Sequence, residues 1–194
     1  MALPGNVLSQ DITPAAFEPP RDIWKVPTHD YARGGVALAD PSQGLSVKNW
    51  HAFLNEARTQ ILIEADGVSP TLVTSDIDIT EISLTFDTQM RPFVAYVAGG
   101  IAKYYWFDSL VSDFVTTPLP AGSTNPRCSI DDIRPQQSAN ADIILAYMRD
   151  GSLMMRMQRD RYLIEYELDM YMGSAELIQI GMNRGGRFQF QVKP

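Results

Sequence analysis

The chain of 194 residues holds few of the side chains on which most metal sites and acid–base sites depend. It has one cysteine, Cys128, and two histidines, His29 and His51. A single cysteine cannot form an internal disulfide or supply a zinc ligand set, so we expect the protein to fold in a reducing compartment. Neither histidine has a positioned partner that the sequence suggests, so histidine-based catalysis is not expected.

Long apolar runs are missing as well. No segment approaches the roughly 20 apolar residues that a membrane-spanning helix needs, and the N-terminus lacks a basic region followed by an apolar run. Neither membrane insertion nor a signal peptide is therefore expected. Acidic residues outnumber basic ones by 23 to 16, which argues against a surface that grips nucleic-acid phosphates.

What the chain does have is a repeated pattern of strand, glycine-containing turn and strand. It occurs at Phe93–Asp108, at Ile144–Asp160 and, in a shorter form, at Leu177–Val192. An isolated hairpin is marginally stable in water, so several copies must pack on one another or on neighbouring subunits.

Strand signals recur about every 8 to 12 residues with turn residues between them, which indicates an all-β fold. We expect repeated antiparallel hairpin or four-strand units, arranged as a sandwich or a partial propeller-like stack. The β domain is predicted over residues 46–194, with repeats at about 76–120, 126–170 and 175–194. Residues 46–57 fit both a helix and a strand, and the strand is favoured because everything after them is β.

Residues 1–45 differ from the rest, since they hold six of the 13 prolines. Proline disfavours regular sheet and helix, yet Phe17, Trp24, Val26 and Tyr31 are too apolar for a solvated linker. This pattern predicts an extended arm that lies on its own subunit or on a neighbouring one. A loop that covers its own core is an equally good interpretation.

Two acidic groups are candidate sites. Asp76, Asp78 and Glu81 could offer oxygen ligands to calcium if they share a strand face, although a solvated strand face is the simpler interpretation. Asp131 and Asp132 form a weaker pair.

Glu165 and Glu167 are predicted to share one face of a strand at 161–169, as the paired carboxylates of a glycosidase might. Cross-strand ion pairs with Arg156, Arg159 and Arg161 explain both sets more simply.

The remaining motifs are interpreted as structural. Cys128 lies in a strand pattern and is expected to be buried and inert. Gly99-Gly100 and Gly185-Gly186 are expected to be hairpin turns rather than phosphate loops, because neither precedes a helix. No catalytic residue, cofactor site or metal site is predicted.

Methionine and aromatic residues are concentrated in short stretches. The methionines from Met148 to Met182 are seven of the nine in the chain, which hints at an adaptable core or a subunit contact. The consecutive residues Tyr104, Tyr105, Trp106 and Phe107 must alternate between the two faces of a strand, so at least half should be core.

The β region resembles a family of small virion proteins of tailed bacteriophages. The resemblance covers roughly residues 34 to 194 and is carried by the runs ITEISLTFDTQMRPFVAYVAGGIAKYYWFDS, TTPLPAGSTNPRCSIDDIRP, DIILAYMRDGSLMMRMQRDRYLIEYEL and IQIGMNRGGRFQFQV. It implies a location in the virion tail, assembly in the host cytoplasm, and no enzymatic activity.

The leading hypothesis is therefore a structural tail protein, acting as a connector, hub or fibre-attachment protein. Its expected partners are other tail proteins and copies of itself. The alternative is a host-recognition or carbohydrate-binding module, for which Tyr104 to Phe107 would provide the aromatic platform. A glycan hydrolase comes third.

Overall fold

The computed structural model describes residues 33–39, 47–65, 67–132, 140–171, 174–182 and 187–193. Within these ranges the chain forms fourteen β-strands, a single turn of 3-10 helix at Gln158–Asp160, and no α-helix. The predicted all-β class is confirmed.

The strands form four antiparallel sheets in which each strand pairs with the next one along the chain. Sheet A comprises β1 (Arg33–Ala39), β2 (Val47–Leu54), β3 (Gln60–Ala65) and β4 (Val68–Ser75). Sheet B comprises β5 (Ile79–Phe86), β6 (Pro92–Ala98), β7 (Ile101–Asp108) and β8 (Asp113–Pro118). Sheet C comprises β9 (Thr124–Ile130), β10 (Ile143–Arg149), β11 (Ser152–Met157) and β12 (Tyr166–Met170). Among the described residues, sheet D comprises β13 (Glu176–Met182) and β14 (Phe188–Lys193).

The sheets stack in chain order through their first strands. Strand β1 packs against β5, β5 against β9, and β9 against β13. A separate apolar cluster fills each space between neighbouring sheets: the A–B cluster around Phe86 and Tyr96, the B–C cluster around Phe93 and Tyr147, and the C–D cluster around Leu153. The core is therefore divided into three layers.

Strand β6 shows why the sequence specifies this arrangement. Val94 and Tyr96 belong to the A–B cluster, while Phe93 and Ala95 belong to the B–C cluster. Because successive side chains of a strand point to opposite faces, a strand covered on both faces needs a continuous apolar run, and FVAYVA supplies one.

Two of the sequence repeats coincide closely with sheets B and C, and the third covers sheet D. Sheet A was not recognised as a further unit. Residues 33–39, which were placed in the extended arm, form strand β1 and pair with β2, so the β region begins before residue 46. Residues 47–54 form a strand, which confirms the strand interpretation over the helix. The rest of the predicted arm, including Phe17, Trp24, Val26 and Tyr31, lies outside the described residues.

Two equivalent hairpins turn as predicted. Gly99 and Gly100 join β6 to β7 with φ of 56° and 73°, and Asp150 and Gly151 join β10 to β11 with φ of 51° and 82°. A two-residue turn with positive φ at both central residues has a backbone twist that matches the right-handed twist of the strands it joins. Gly185-Gly186 lies outside the described residues.

The predicted strand over 161–169 is wrong in its first half. Arg161 and Tyr162 have left-handed φ values of 51° and 59°, and β12 begins only at Tyr166. The reason is packing, because this bend places the Tyr162 ring between sheets B and C. Its ring centroid lies 5.1 Å from that of Phe93 and 5.2 Å from that of Tyr104.

Candidate functional site

The acidic cluster proposed for calcium is not assembled. Asp76 and Asp78 lie in the connection between β4 and β5, and Asp78 has a φ of 50°. Asp76 accepts a hydrogen bond of 2.7 Å from Lys103 Nζ, whereas Glu81 pairs with Arg127. Across the described ranges, no three His, Cys, Asp or Glu side chains come together so as to hold a metal ion.

The environment of Asp76 favours its ionised form. Partial burial raises the pKa of Asp76, but hydrogen bonds from Lys103 and from the backbone N–H of Ile77, together with the charge of Lys103, lower it by more. The net result is a lowered pKa, as expected for a structural ion pair.

The two carboxylates considered as a glycosidase pair, Glu165 and Glu167, contact different residues. Glu165 lies before β12, in the loop, where Arg149 Nη1 lies 2.6 Å from its Oε1 and Arg156 Nη2 lies 3.0 Å from its Oε2. Glu167 instead accepts a hydrogen bond of 2.7 Å from the Ser152 hydroxyl. Burial raises the pKa of Glu165, but the hydrogen bonds from the two arginines outweigh it and lower the pKa overall.

Arg156, Arg159 and Arg161 all form ion pairs. Only Arg156 pairs with one of the two predicted carboxylates, Glu165. Arg159 bonds Asp142, and its Nη2 lies 3.4 Å from Asp131 Oδ2. Arg161 donates from Nη2 to both oxygens of Asp108 at 2.8 Å, which ties the turn before β12 to the end of β7.

Cys128 is fully buried between sheets B and C, as expected. Its thiol donates to the Ser83 carbonyl oxygen at 3.0 Å, and its backbone N–H donates to the Ser83 hydroxyl at 2.9 Å. His51 is exposed on sheet A, opposite Glu64, while His29 lies outside the described residues.

The four consecutive aromatic residues of β7 divide as predicted. Tyr104 and Trp106 are buried in the B–C cluster, and Tyr105 and Phe107 are half-buried on the opposite face. There they meet Phe114 of β8, which the sequence analysis did not single out. The rings of Tyr105 and Phe114 stack with centroids 5.0 Å apart, and Phe107 meets Phe114 edge-on at 5.3 Å.

An arginine side chain lies against this aromatic trio of Tyr105, Phe107 and Phe114. The guanidinium of Arg91 lies 3.9 Å from the centroid of Phe107 and forms an ion pair of 2.6 Å with Asp87. Tyr105 also packs against the A–B cluster, whereas Phe107 and Phe114 are partly exposed beside polar groups, a setting with the chemistry for stacking on a sugar ring.

The methionines serve mostly as core. Met148 and Met154 are buried, and Met155 and Met157 pack against the C–D cluster. Met170 is the exception, since 68% of it is exposed, and Met172 lies outside the described residues.

Met170 belongs to a larger set of exposed apolar residues in β12 and in the loop before it. Leu163 is 75% exposed, Ile164 49% and Leu168 40%. We call these three residues and Met170 the outer C surface. Ile164 and Leu168 lie in the strand predicted at 161–169, as does Tyr162, which is buried. A strand pattern cannot show whether a further layer covers a given face.

Two strand edges have no further strand beside them among the described residues. Strand β12 pairs with β11 alone, and β14 pairs with β13 alone. Unpaired backbone N–H and C=O groups on such edges can accept another strand. The outer C surface therefore combines exposed apolar side chains with the edge of β12, which no further described strand covers.

No helix within the described ranges has the length and apolar character to cross a membrane. Comparisons of the chain with protein-family models, with curated proteins and with solved structures gave no match.

Proposed function

We propose that the protein is a structural component of a bacteriophage tail, a connector, hub or fibre-attachment protein that acts through contacts with copies of itself and with other tail proteins. The outer C surface carries this proposal. Four large apolar side chains lie exposed within eight residues, from Leu163 to Met170, beside an open strand edge. Large apolar side chains that lie exposed close together in the chain are typical of a protein interaction site.

The energetics favour burial of this surface in an assembly. Fully burying one leucine, isoleucine or methionine side chain contributes about 1.5–3 kcal/mol. An open strand edge also offers backbone hydrogen bonds, which are directional. These bonds fix the register of a partner strand, in addition to the apolar area that the partner buries. Such a surface is suited to a permanent contact with another subunit of a particle.

Two further observations support the proposal. The β region resembles small virion proteins of tailed phages over the runs quoted above. The stacked antiparallel sheets also suit a partial propeller-like module that contacts other subunits.

The direct test is the composition of the particle. Phage whose genome encodes this chain would be purified, the tails separated from the heads, and the tail proteins identified by mass spectrometry. We expect the protein in the tail fraction at a fixed copy number. Its absence from purified particles would overturn the proposal.

A complementation experiment tests the surface itself. Phage lacking the gene would be supplied with a double variant, Leu168→Lys with Met170→Lys, and we expect tails that fail to assemble. Leu72→Lys is the control, because the exposure of Leu72, 52%, lies between those of Leu168 and Met170, but Leu72 belongs to sheet A. Equal infectivity of the two variants would contradict the role of the outer C surface.

The aromatic trio favours a second candidate function, binding of host carbohydrate. Phe107→Ala and Phe114→Ala would then abolish glycan binding in an array and by calorimetry. Leu110→Ala, an exposed apolar change in the adjoining turn, should leave it intact. Wild-type protein that binds no glycan would eliminate this candidate.

A further inference from the structure

The turn between β5 and β6 is built around the Asp87 carboxylate. Its Oδ1 accepts hydrogen bonds of 2.9 Å from the backbone N–H groups of Gln89 and Arg91, and its Oδ2 accepts one of 2.6 Å from Arg91 Nε. The backbone N–H of Met90 donates to the Asp87 carbonyl oxygen at 3.0 Å, and the Met90 side chain packs against the A–B cluster. The turn therefore holds both the backbone and the side chain of Arg91 in place.

The guanidinium of Arg91 is held on a second side by an aromatic ring. Its Cζ lies 3.9 Å from the centroid of Phe107, within the range of a cation–π contact. A side chain that is already fixed in this way loses little conformational freedom when it binds a ligand.

The two terminal nitrogens of Arg91 remain available as donors. Within the described part of the molecule the guanidinium bonds to the protein through Nε alone, and neither Nη1 nor Nη2 is a buried atom that lacks a partner. The side chain is 27% exposed. A planar pair of N–H donors with this geometry matches the two oxygens of a carboxylate.

Apolar surface lies beside these donors. The centroids of Phe107 and Phe114 are 5.3 Å apart, and both rings are partly exposed. Arg91 and Phe114 thus flank the same ring, at a separation that one sugar with a carboxylate substituent can bridge. The C–H groups of a sugar ring would contact the aromatic side chains while the carboxylate reaches the guanidinium.

The charges around Arg91 favour a singly charged ligand. Asp87 already offsets the charge of Arg91, and the exposed Asp113 directly precedes Phe114. The site therefore has no surplus of positive charge with which to hold a phosphate dianion or a densely charged polymer. A single carboxylate, bound through two directional hydrogen bonds, fits this balance better.

We propose that Arg91 binds the carboxylate of an acidic sugar, such as a uronic acid, whose ring packs on Phe107 and Phe114. This inference rests on the second candidate function, carbohydrate binding, and adds to it the chemical class of the sugar and the residue that recognises it.

A titration of the full chain with two probes tests the recognition of the carboxylate. The probes are glucuronic acid and its methyl ester, which has the same ring but no charge, and binding is followed by NMR. We expect the acid to bind about tenfold more tightly than the ester, since only the acid offers a charge-assisted pair of acceptors. Equal binding of the two would overturn the inference.

Arg91→Lys tests the residue. Lysine keeps the charge and can still pair with Asp87, but it has no planar pair of donors left for the ligand. Binding of the acid should fall to the level of the ester, while binding of the ester stays about the same, which shows that the aromatic surface is intact. An acid that binds Arg91→Lys as tightly as the unaltered protein would contradict the assignment.

Arg58→Lys is the matched control. Arg58 is an exposed arginine in the connection between β2 and β3, in sheet A, and its replacement should leave the preference for the acid unchanged. Loss of that preference in Arg58→Lys would show that the acid responds to arginines in general rather than to Arg91.

The inference and the candidate function fail in different ways. A protein that binds the ester and the acid equally overturns the role of Arg91 but still binds carbohydrate. A protein that binds neither probe, and no glycan in an array, eliminates carbohydrate binding itself.

Discussion

Arg127 Nη1 donates a hydrogen bond of 2.8 Å to Glu81 Oε2 and so joins the first strands of sheets B and C. The same side chain donates from Nε to the Ile178 carbonyl oxygen of β13 at 3.0 Å. Only 2% of the Arg127 side chain is exposed. One guanidinium thus connects three of the four stacked sheets, at the point where their first strands meet.

Removing this arginine should be costly. Arg127→Met leaves the Glu81 carboxylate without its partner, and breaking a buried ion pair in this way costs about 3–5 kcal/mol. The measurement is the free energy of unfolding in urea. Lys103→Met is the matched control, because the Lys103–Asp76 pair is more exposed and should contribute about 1 kcal/mol or less. Equal costs for the two variants would show that Arg127 has no special role in joining the sheets.

The Tyr162 hydroxyl, unlike the Arg127 side chain, is not expected to stabilise the fold. It is buried and has no hydrogen-bond partner within the described part of the chain. Tyr162→Phe should therefore be neutral or should stabilise the protein by up to about 1–3 kcal/mol, the penalty of an unsatisfied buried group.

Tyr147→Phe is its control. The Tyr147 hydroxyl accepts a hydrogen bond of 3.0 Å from Arg156 Nε, so its removal should cost about 1 kcal/mol. The melting temperature should fall for Tyr147→Phe and should stay the same or rise for Tyr162→Phe. A drop for Tyr162→Phe as large as that for Tyr147→Phe would contradict the expectation.

The equivalent hairpins of sheets B and C predict which glycine is required. Sheet C uses Asp150-Gly151 where sheet B uses Gly99-Gly100, so Gly99→Asp should be tolerated. Gly100→Ala should cost about 1 kcal/mol, although a Cβ there would meet no atom within 4 Å. The cost is purely conformational, because φ is 73°. Chemical denaturation of both variants checks it, and equal stabilities would contradict it.

Acid should weaken the protein through its ion-paired carboxylates. The folded-state pKa values of Asp76 and Glu165 lie below their ordinary values, so folding favours the ionised forms. Their contribution is present above about pH 4–5, where free carboxyls are ionised, and is lost as the pH falls through the folded-state values. Melting temperatures between pH 6 and 2.5 should decline.

Asp76→Asn should make that decline shallower. Lys103→Met should do the same without removing the carboxylate, because the lowered pKa of Asp76 depends on Lys103. An unchanged acid limb in both variants would show that this pair does not contribute to the pH dependence.

Local signals in the sequence predicted much of this fold. The two-residue hairpin turns and the continuous apolar run of β6 depend on residues adjacent in the chain, so periodicity revealed them. Sheet A was not recognised as a unit. Its first strand, Arg33–Ala39, contains two glycines and follows a proline-rich segment, and neither is typical of a strand.

The contacts between sheets could not be predicted in the same way. Arg127 and Glu81 are 46 residues apart, and nothing local marks them as partners. The exposure of Leu168 depends on whether another layer covers sheet C, which an alternating pattern cannot show. Tyr162 was placed on a strand because its apolar neighbours alternate, whereas its burial requires a bend.

The stacking of sheets through their first strands makes the protein close to a linear array of cooperative units. Each unit draws its stability from its own strands and from the layers beside it. Sheets B and C each have a described neighbour on both sides, whereas the two-stranded sheet D has one. Amide hydrogen exchange should therefore be faster in sheet D than in sheets B and C. Faster exchange in sheet B than in sheet D would show that the units do not open independently.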